Sequence, residues 1–426
     1  MKNKRIAAVV ASLGLAAMAC TAVPVNAGAA ANYTPITGGT YTFDKYLVMK
    51  NEATVPNVSF DFQVESAEAS GDVKAGPAGI KFKADAENNV ALNTTNDTKA
   101  TVSFSTADNA KTKSEQNKGD KTIAFSTTDN TEDEKYISKA LTLDLSGVTF
   151  SEPGIYRYII TETNAESVAG ISADTNPTRN LDIYVQNTSD GELSVQGFVL
   201  YYGTNTKSTG FTNNYGTNNI QITKNVTGNQ GSKDKHFKIN VKLTNADNLA
   251  INDNDTFLLA GNYEKTPSKT GDTIYEAADM KTANIITTIT YGQLKGDGYS
   301  FYLCSGHNIE IKGIPSGLGY EITEYQETYT PDITVSGDTK TGDKTGEGTD
   351  IAGEANSAES SADKTYTIAD TYLKSNAVVT FTNDKAGTLP TGVLMTVAGS
   401  AAIAALGIAG VAAGTVYLRK KKSEEE

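Results

Sequence analysis

The strongest constraint on the fold is a pattern of strands that occurs twice, in the same order, along 426 residues. Each copy opens with an alternating strand that contains a lysine, continues to a strand of the form Tyr-x-Ile-Thr-Glu, and closes on Phe-Thr-Asn. The segments are residues 41–48, 158–162 and 211–213 in the first copy, and residues 220–226, 320–324 and 381–383 in the second. Short alternating strands separated by turns are typical of β-sandwiches. We therefore predict two tandem β-sandwich domains, at residues 28–217 and 218–387.

The composition also favours an all-β fold with long polar loops. Thr, Asn, Gly and Tyr are abundant and Trp is absent. Residues 108–134 and 336–364 are polar and show no sustained apolar period. Such segments do not bury enough apolar surface to pack by themselves, so we predict long loops there, with strand structure resuming at Leu141 in the first domain.

Strand parity places charged and amide side chains on the apolar faces of these strands. Side chains alternate between the two faces of a strand, so a residue shares its face with those two positions away. This count selects Asn213 rather than its neighbour Asn214. Six side chains are predicted to point into the two cores: Lys45, Glu162 and Asn213 in the first, and Lys224, Glu324 and Asn383 in the second.

Burial gives such a Lys, Glu and Asn a specific chemistry. Desolvation lowers the pKa of an amine and raises that of a carboxyl group, which favours a neutral amine beside a protonated acid. The amine is then a nucleophile, and the acid can donate a hydrogen bond to the Asn carbonyl oxygen and make its carbon electrophilic. Attack forms a Lys–Asn amide and releases ammonia. The alternative interpretation is a pair of buried Lys–Glu ion pairs, each beside an Asn.

The C-terminal segment, residues 388–426, predicts a membrane anchor. An uncharged run of 26 residues from Val393 to Leu418 precedes four consecutive cations, Arg419 to Lys422. As a helix the run is about 39 Å long, enough to cross a hydrocarbon core of about 30 Å. The cations hold their end in the cytoplasm and leave the preceding chain outside.

The N-terminal segment, residues 1–27, predicts a signal peptide. Lys2, Lys4 and Arg5 precede an apolar stretch, and small residues before Gly28 suit cleavage by a signal peptidase. A lipoprotein signal at Cys20 and an uncleaved N-terminal span are the alternatives.

Charge and residue counts exclude several classes of function. The formal net charge is −13 at pH 7, and the only basic cluster lies in the C-terminal tail, which argues against nucleic acid as a partner. Cys304 is the only cysteine outside the signal peptide, so no intramolecular disulfide is expected. Cys304-Ser305-Gly306-His307 could be half of a metal site, but the sequence has no second pair of this kind. We therefore interpret Cys304 and His307 as a free thiol and a surface histidine, with no metal and no cofactor. No nucleophile–His–acid set is visible, so turnover of a substrate is not expected.

Two resemblances sharpen these predictions. Leu389, Pro390, Thr391 and Gly392, with the apolar span and basic tail behind them, resemble the cell-wall sorting signal of Gram-positive surface proteins. In that signal a sortase cuts after the Thr and joins its carbonyl to an amine. The usual pattern is Leu-Pro-any-Thr-Gly, and the intervening residue is missing here. The alternative is an ordinary single-span anchor.

The repeated Lys, Glu and Asn residues resemble those of the backbone pilins of Gram-positive pili, in particular the two-domain streptococcal type. The resemblance implies tandem immunoglobulin-like sandwiches, each closed by a Lys–Asn isopeptide bond. It implies the bonds Lys45–Asn213 and Lys224–Asn383, with Glu162 and Glu324 as the catalytic acids. It also implies an acceptor lysine ahead of the last strand of the first domain, where Lys207 lies in a polar run. An ordinary solvated lysine is the alternative at that position.

The leading hypothesis is therefore a structural subunit of a wall-anchored pilus on the cell surface. The expected partners are sortase, identical subunits in a covalent polymer, tip or basal pilins, peptidoglycan and host ligands. A monomeric wall-anchored adhesin is the alternative, and a surface enzyme is disfavoured because it lacks candidate catalytic residues.

Overall fold

A computed structural model describes residues 34–116, 123, 125, 133–163, 167–203, 206–263, 268–270, 273–275, 285–325, 329–337 and 365–387. The predicted signal peptide and sorting signal lie outside these residues, as does most of the predicted loop at 336–364. Within the described ranges, no helix is both long and apolar enough to cross a membrane.

The first half of the described chain is built almost entirely of strands. A short 3-10 helix spans Lys113–Glu115. The strands are β1 (Ile36–Thr37), β2 (Thr40–Lys50), β3 (Val58–Ser66), β4 (Val73–Ala75), β5 (Lys81–Lys83), β6 (Val90–Leu92), β7 (Lys99–Phe104), β8 (Lys111–Thr112), β9 (Glu134–Asp144), β10 (Thr149–Phe150), β11 (Gly154–Glu162), β12 (Ile171–Ser172), β13 (Thr178–Asn187), β14 (Leu193–Tyr202), β15 (Thr206–Lys207) and β16 (Gly210–Tyr215).

These strands form two main sheets around one hydrophobic core. One sheet has the order β15-β14-β13-β11-β3-β7-β6, with β4 beside β11. The other has the order β12-β16-β2-β9-β5, with β8 beside β9. Their apolar faces meet because alternate residues are buried, as in β11, where Tyr158 and Ile160 are inaccessible to solvent.

The second half repeats this plan around a separate core. A single helical turn, α1, spans Tyr291–Leu294. The strands are β17 (Thr217–Thr227), β18 (Phe237–Thr244), β19 (Thr256–Asn262), β20 (Ser268–Thr270), β21 (Thr273–Tyr275), β22 (Ile285–Thr290), β23 (Tyr299–Leu303), β24 (Asn308–Pro315), β25 (Gly319–Tyr325), β26 (Thr330–Ser336), β27 (Thr365–Asp370) and β28 (Ala377–Asp384). One sheet has the order β22-β19-β24-β17-β28-β26, the other β23-β18-β25-β27, and β20 pairs with β21.

The prediction of an all-β chain with tandem immunoglobulin-like sandwiches is confirmed, and each strand of the repeated pattern is present. One boundary was wrong: β9 begins at Glu134, seven residues before Leu141. The earlier part of β9 contains Lys139, which is buried and ion-paired with Asp108 at 2.8 Å. A buried lysine on the inner face disguises the alternation that marks a strand. The two domain bounds themselves stay predictions.

Close contacts join the two halves. Strand β16 ends at Tyr215 and β17 begins at Thr217, so a single residue separates them. The backbone N–H of Asn57 and its side-chain amide both donate to Asp255 Oδ1 at 2.7 Å. Lys50 Nζ donates to the carbonyl oxygen of Thr217 at 2.7 Å. The last strand of the first half therefore continues almost directly into the first strand of the second.

Candidate functional site

The first cluster of interest lies between the two sheets of the first sandwich. Strands β2 and β16 are parallel neighbours, with Lys45 opposite Phe211 and Asn213 two residues further along the same face. Glu162 enters from β11 in the facing sheet. Lys45 Nζ lies 2.9 Å from Glu162 Oε2, and Asn213 Nδ2 donates to Glu162 Oε1 at 2.5 Å. The structure thus brings the three predicted side chains together, and all are buried.

The second cluster repeats this geometry in the second sandwich. Lys224 on β17 lies opposite Phe381 on the parallel strand β28, and Asn383 again follows two residues later. Glu324 comes from β25 in the other sheet. Lys224 Nζ lies 3.0 Å from Glu324 Oε1, and Asn383 Nδ2 donates to the same oxygen at 3.3 Å. Lys224, Glu324 and Asn383 are all fully inaccessible to solvent.

Burial changes the protonation of both lysines. Desolvation lowers the pKa of Lys45 from 10.5 to about 8, although the adjacent Glu162 favours the charged amine. Desolvation likewise lowers the pKa of Lys224 to about 8, against the opposing effect of Glu324. The pKa of the Glu324 carboxyl group is raised, mainly by burial. Both amines are therefore far closer to their neutral, nucleophilic form at neutral pH than a solvated lysine is.

An aromatic ring lies beneath each amine, which the sequence analysis did not identify. Lys45 Nζ lies 4.3 Å from the centre of the Phe60 ring, and Lys224 Nζ lies 4.5 Å from that of Phe237. Both rings occupy equivalent positions on the second long strand of their domain, two residues before the residue paired with the Glu. Both phenylalanines could have been identified from the sequence by comparing which residues of the second strand face the core in each copy.

The orientation of the Asn side chains differs from the expected one. We expected the Glu to donate to the Asn carbonyl oxygen, but each Glu faces the amide nitrogen. In this arrangement the Asn amide nitrogen is the donor and the Glu oxygen is the acceptor. In the first cluster the backbone N–H of Asp174 donates to Asn213 Oδ1 at 2.9 Å. In the second cluster Asn383 Oδ1 has no hydrogen-bond partner among the described residues.

A buried ion pair holds the Asp174 segment in place, and sequence reasoning missed it. Arg179 Nη2 lies 2.6 Å from Asp174 Oδ2, and the backbone N–H of Thr212 donates to the same oxygen at 2.9 Å. The segment before β13 is thereby fixed against β16. The backbone N–H of Asp174 points at Asn213 Oδ1, on which negative charge would develop if the amide carbon of Asn213 were attacked.

Lys207 belongs to neither of the two Lys–Glu–Asn clusters. Lys207 is exposed on the short edge strand β15, which pairs with the end of β14. A cavity of about 230 Å³ lies beside it, lined in part by Asp174, Arg179 and Tyr202. Leu389, Pro390, Thr391 and Gly392 lie outside the described residues.

The interpretation of His307 as a surface residue was wrong. Its side chain is only 4% exposed, and Cys304 is 2% exposed. The turn between β23 and β24 directs both side chains inward, next to His236. A one-dimensional pattern did not reveal this because His236 lies some 70 residues earlier in the chain.

Comparisons with known proteins agree with this geometry. Residues 79–216 match the family of the Spy0128-like isopeptide containing domain, and residues 218–389 match a domain of unknown function, DUF7601. A curated pilin of Streptococcus pyogenes serotype M1 is 29% identical over 395 residues, which cover 92% of this chain and 93% of the relative. The chain is therefore similar to pilins over nearly its whole length. It is a pilus subunit, and pilins are structural proteins of the cell surface rather than enzymes.

Solved structures of pilins are also similar to the chain. The crystal structure of the major pilin from Streptococcus pyogenes aligns with 83% of this chain and 100% of its own, with 22% identity and a TM-score of 0.47. A second major pilin of the same species aligns with 82% of this chain and 100% of its own, with 19% identity and a TM-score of 0.44.

Proposed function

We propose that this pilin is a shaft subunit that sortase joins covalently to its neighbours, and that each domain closes an internal Lys–Asn isopeptide bond. The observation that carries the proposal is the duplicated cluster. A buried Lys, Glu and Asn occur in both domains with the same register, and one lone buried charge would cost several kcal/mol. Packing by itself gives no reason to retain six such side chains.

In the first domain the neutral amine of Lys45 attacks the amide carbon of Asn213. Glu162, protonated at the start, delivers its proton to the departing nitrogen and takes up the proton that the amine loses, so the products are a neutral amide and ammonia. The backbone N–H of Asp174 stabilises the developing oxyanion. Lys224, Glu324 and Asn383 exchange the same bonds in the second domain, where the described residues supply no donor to Asn383 Oδ1. Each site turns over once, with proximity supplied by folding.

Polymerisation joins the sorting motif of one subunit to an exposed lysine of the next. Sortase cleaves the Leu389-Pro390-Thr391-Gly392 motif after Thr391 and transfers the Thr391 carbonyl to Lys207 of the next subunit. The exposure of Lys207 on an edge strand suits this role. The last subunit is joined to peptidoglycan instead, which anchors the polymer in the cell wall. Tip or basal pilins and host ligands are further partners.

Wall extracts boiled in detergent test the proposal. A covalent polymer gives a ladder of bands separated by one subunit mass, and deletion of the sortase removes the ladder. A single monomer band from wild-type cells contradicts polymerisation and leaves the monomeric wall-anchored adhesin as the better hypothesis.

A further inference from the structure

The two histidines of the chain and its only cysteine outside the signal peptide lie at a single point in the second domain. The full sequence contains only His236 and His307, together with Cys20 of the signal peptide and Cys304. One donor atom from each of His236, Cys304 and His307 lies within 4.8 Å of the others. All three side chains are buried. Two imidazoles and a thiol are the donor set that zinc and copper favour.

The fold holds the three residues by three separate constraints. Strand β18 pairs with β23 so that Phe237 lies opposite Leu303, and His236 and Cys304 are the residues directly beyond this last pair. The turn Cys304-Ser305-Gly306-His307 is closed by a hydrogen bond from the His307 N–H to the Cys304 carbonyl oxygen at 3.0 Å. Gly306 adopts a φ of +88°, which a residue with a side chain rarely does.

The same turn is fixed to the strand that carries Lys224. The backbone N–H of Gly306 donates to the Lys224 carbonyl oxygen at 2.8 Å, and the Lys224 N–H donates to the His307 carbonyl oxygen at 3.0 Å. The donors therefore come from the ends of β18 and β23 and from the start of β24, and the turn that carries two of them is bound to β17. An ion held between them would link both sheets of the second sandwich.

We propose that His236, Cys304 and His307 bind one transition-metal ion, with Zn²⁺ as the redox-inert representative. Each imidazole supplies one nitrogen and Cys304 supplies its thiolate, so binding releases the thiol proton to solvent. In a tetrahedral zinc site the nitrogen and sulfur donors lie about 3.4 to 3.6 Å apart, so the ion draws these atoms together by at most about 1 Å. The fourth position is open to water. The site fastens the N-terminal end of β18 to the β23–β24 turn.

Cobalt substitution provides a direct test on the purified mature protein. After treatment with a chelator, titration with Co²⁺ is expected to give a thiolate-to-metal charge-transfer band that saturates at one ion per chain, and Zn²⁺ is expected to abolish it by displacement. Addition of Zn²⁺ should also raise the melting midpoint of the second domain, because the ion binds only the folded state. Competition between Zn²⁺ and Cu⁺ shows which of the two ions the site prefers, because the same donors also suit copper.

Variants separate ligation from packing. Cys304→Ser is expected to eliminate the charge-transfer band, and His236→Gln and His307→Gln are each expected to weaken Zn²⁺ binding at least about tenfold. Ser305→Ala is the matched control, since it alters the same turn and leaves all three donors in place. Absence of the band in the wild-type protein overturns the proposal even if a variant fails to fold. Undiminished Zn²⁺ binding by folded Cys304→Ser overturns it as well.

Discussion

Phe211 lies opposite Lys45 across two parallel strands, and this register places Asn213 one pleat further along the same buried face. Phe381 and Lys224 stand in the same relationship in the second domain. Adjacent strands are about 4.8 Å apart, so the two side chains reach the same Glu without any movement of the backbone. Strand pairing, rather than a loop, therefore holds the reacting groups together once the sandwich has formed.

The first prediction concerns the mass of the folded protein. Each bond expels one ammonia of about 17 Da, so the mature chain should be about 34 Da lighter than its sequence mass. Glu162→Gln should abolish only the first deficit and Glu324→Gln only the second, because each acid serves its own cluster. Intact-mass spectrometry, with peptide mapping to assign the bond, makes the measurement.

Glu65→Gln is the control for this experiment, since Glu65 lies in the same domain and is exposed. It should retain both deficits. A full deficit of about 34 Da in either catalytic variant contradicts the role assigned to that Glu.

Most of the fold and all six clustered side chains could be predicted from sequence because period-two alternation reports directly on which face of a strand is buried. The Asp174–Arg179 ion pair could not be predicted in this way. Asp174 lies in a connecting segment, and only the packing of that segment against Thr212 gives its N–H a function. The convergence of His236 with Cys304 depends on the register of β18 with β23, which alternation within one strand does not report.

The second prediction is that the two bonds form at different rates. Asn213 Oδ1 accepts the Asp174 N–H, whereas Asn383 Oδ1 has no partner among the residues that the structure describes. One oxyanion donor typically contributes about 10²- to 10³-fold to the rate. The first bond should therefore form roughly 100-fold faster than the second during refolding of the denatured, unreacted chain. Samples are quenched with acid at intervals and digested, and mass spectrometry of the peptides measures each bond separately. Equal rates would contradict the assigned role of the Asp174 N–H.

The third prediction is the dependence of the second bond on pH. The reactive form has a neutral Lys224 beside a protonated Glu324, and it holds one proton, as the Lys224–Glu324 ion pair does. The fraction of the reactive form therefore does not change with pH as long as the two side chains share one proton. Burial lowers the pKa of Lys224 to about 8 and raises that of Glu324. As the pH rises through about 8 the pair loses its proton, and the rate should then fall about tenfold per pH unit.

Refolding in an Asn213→Ala background isolates this second bond, because only one mass deficit can then appear. A rate that continues to rise toward the ordinary lysine pKa of 10.5 would show that a neutral amine is sufficient. That result would contradict a protonated Glu324 as the acid.

The fourth prediction concerns stability. Each bond closes a loop of more than 150 residues, and the chain-entropy model gives about 5 kcal/mol for such a cross-link. Asn213→Ala and Asn383→Ala should each lower the melting midpoint of their own domain by about 10–20 °C. Asn214→Ala is the matched control, since Asn214 is adjacent in sequence but points away from the cluster. Calorimetry on the three variants makes the comparison, and unchanged midpoints would show that the bonds are absent or without thermodynamic effect.

The fifth prediction concerns the intersubunit acceptor. Lys207→Arg should abolish the covalent ladder, because the guanidinium group of arginine is not a nucleophile at neutral pH, and it should leave both internal mass deficits intact. Lys83→Arg is the control, since Lys83 is also exposed at the end of a short strand of the first domain. A ladder that persists in Lys207→Arg assigns the acceptor to another lysine.

The position of Lys207 also decides which internal bond bears tension. Only β16 lies between Lys207 and β17, so a load that enters at Lys207 reaches Lys224 within 17 residues (224 − 207) and crosses to Asn383 through the second bond. In Asn383→Ala pili the chain between these two residues carries the load, and each subunit should lengthen by roughly 500 Å when its second domain unfolds. Asn213→Ala pili should not lengthen in this way, because β16 is the only long strand of the first domain in the load path. Single-pilus force spectroscopy measures the lengthening of both variants. Equal lengthening would contradict attachment through Lys207.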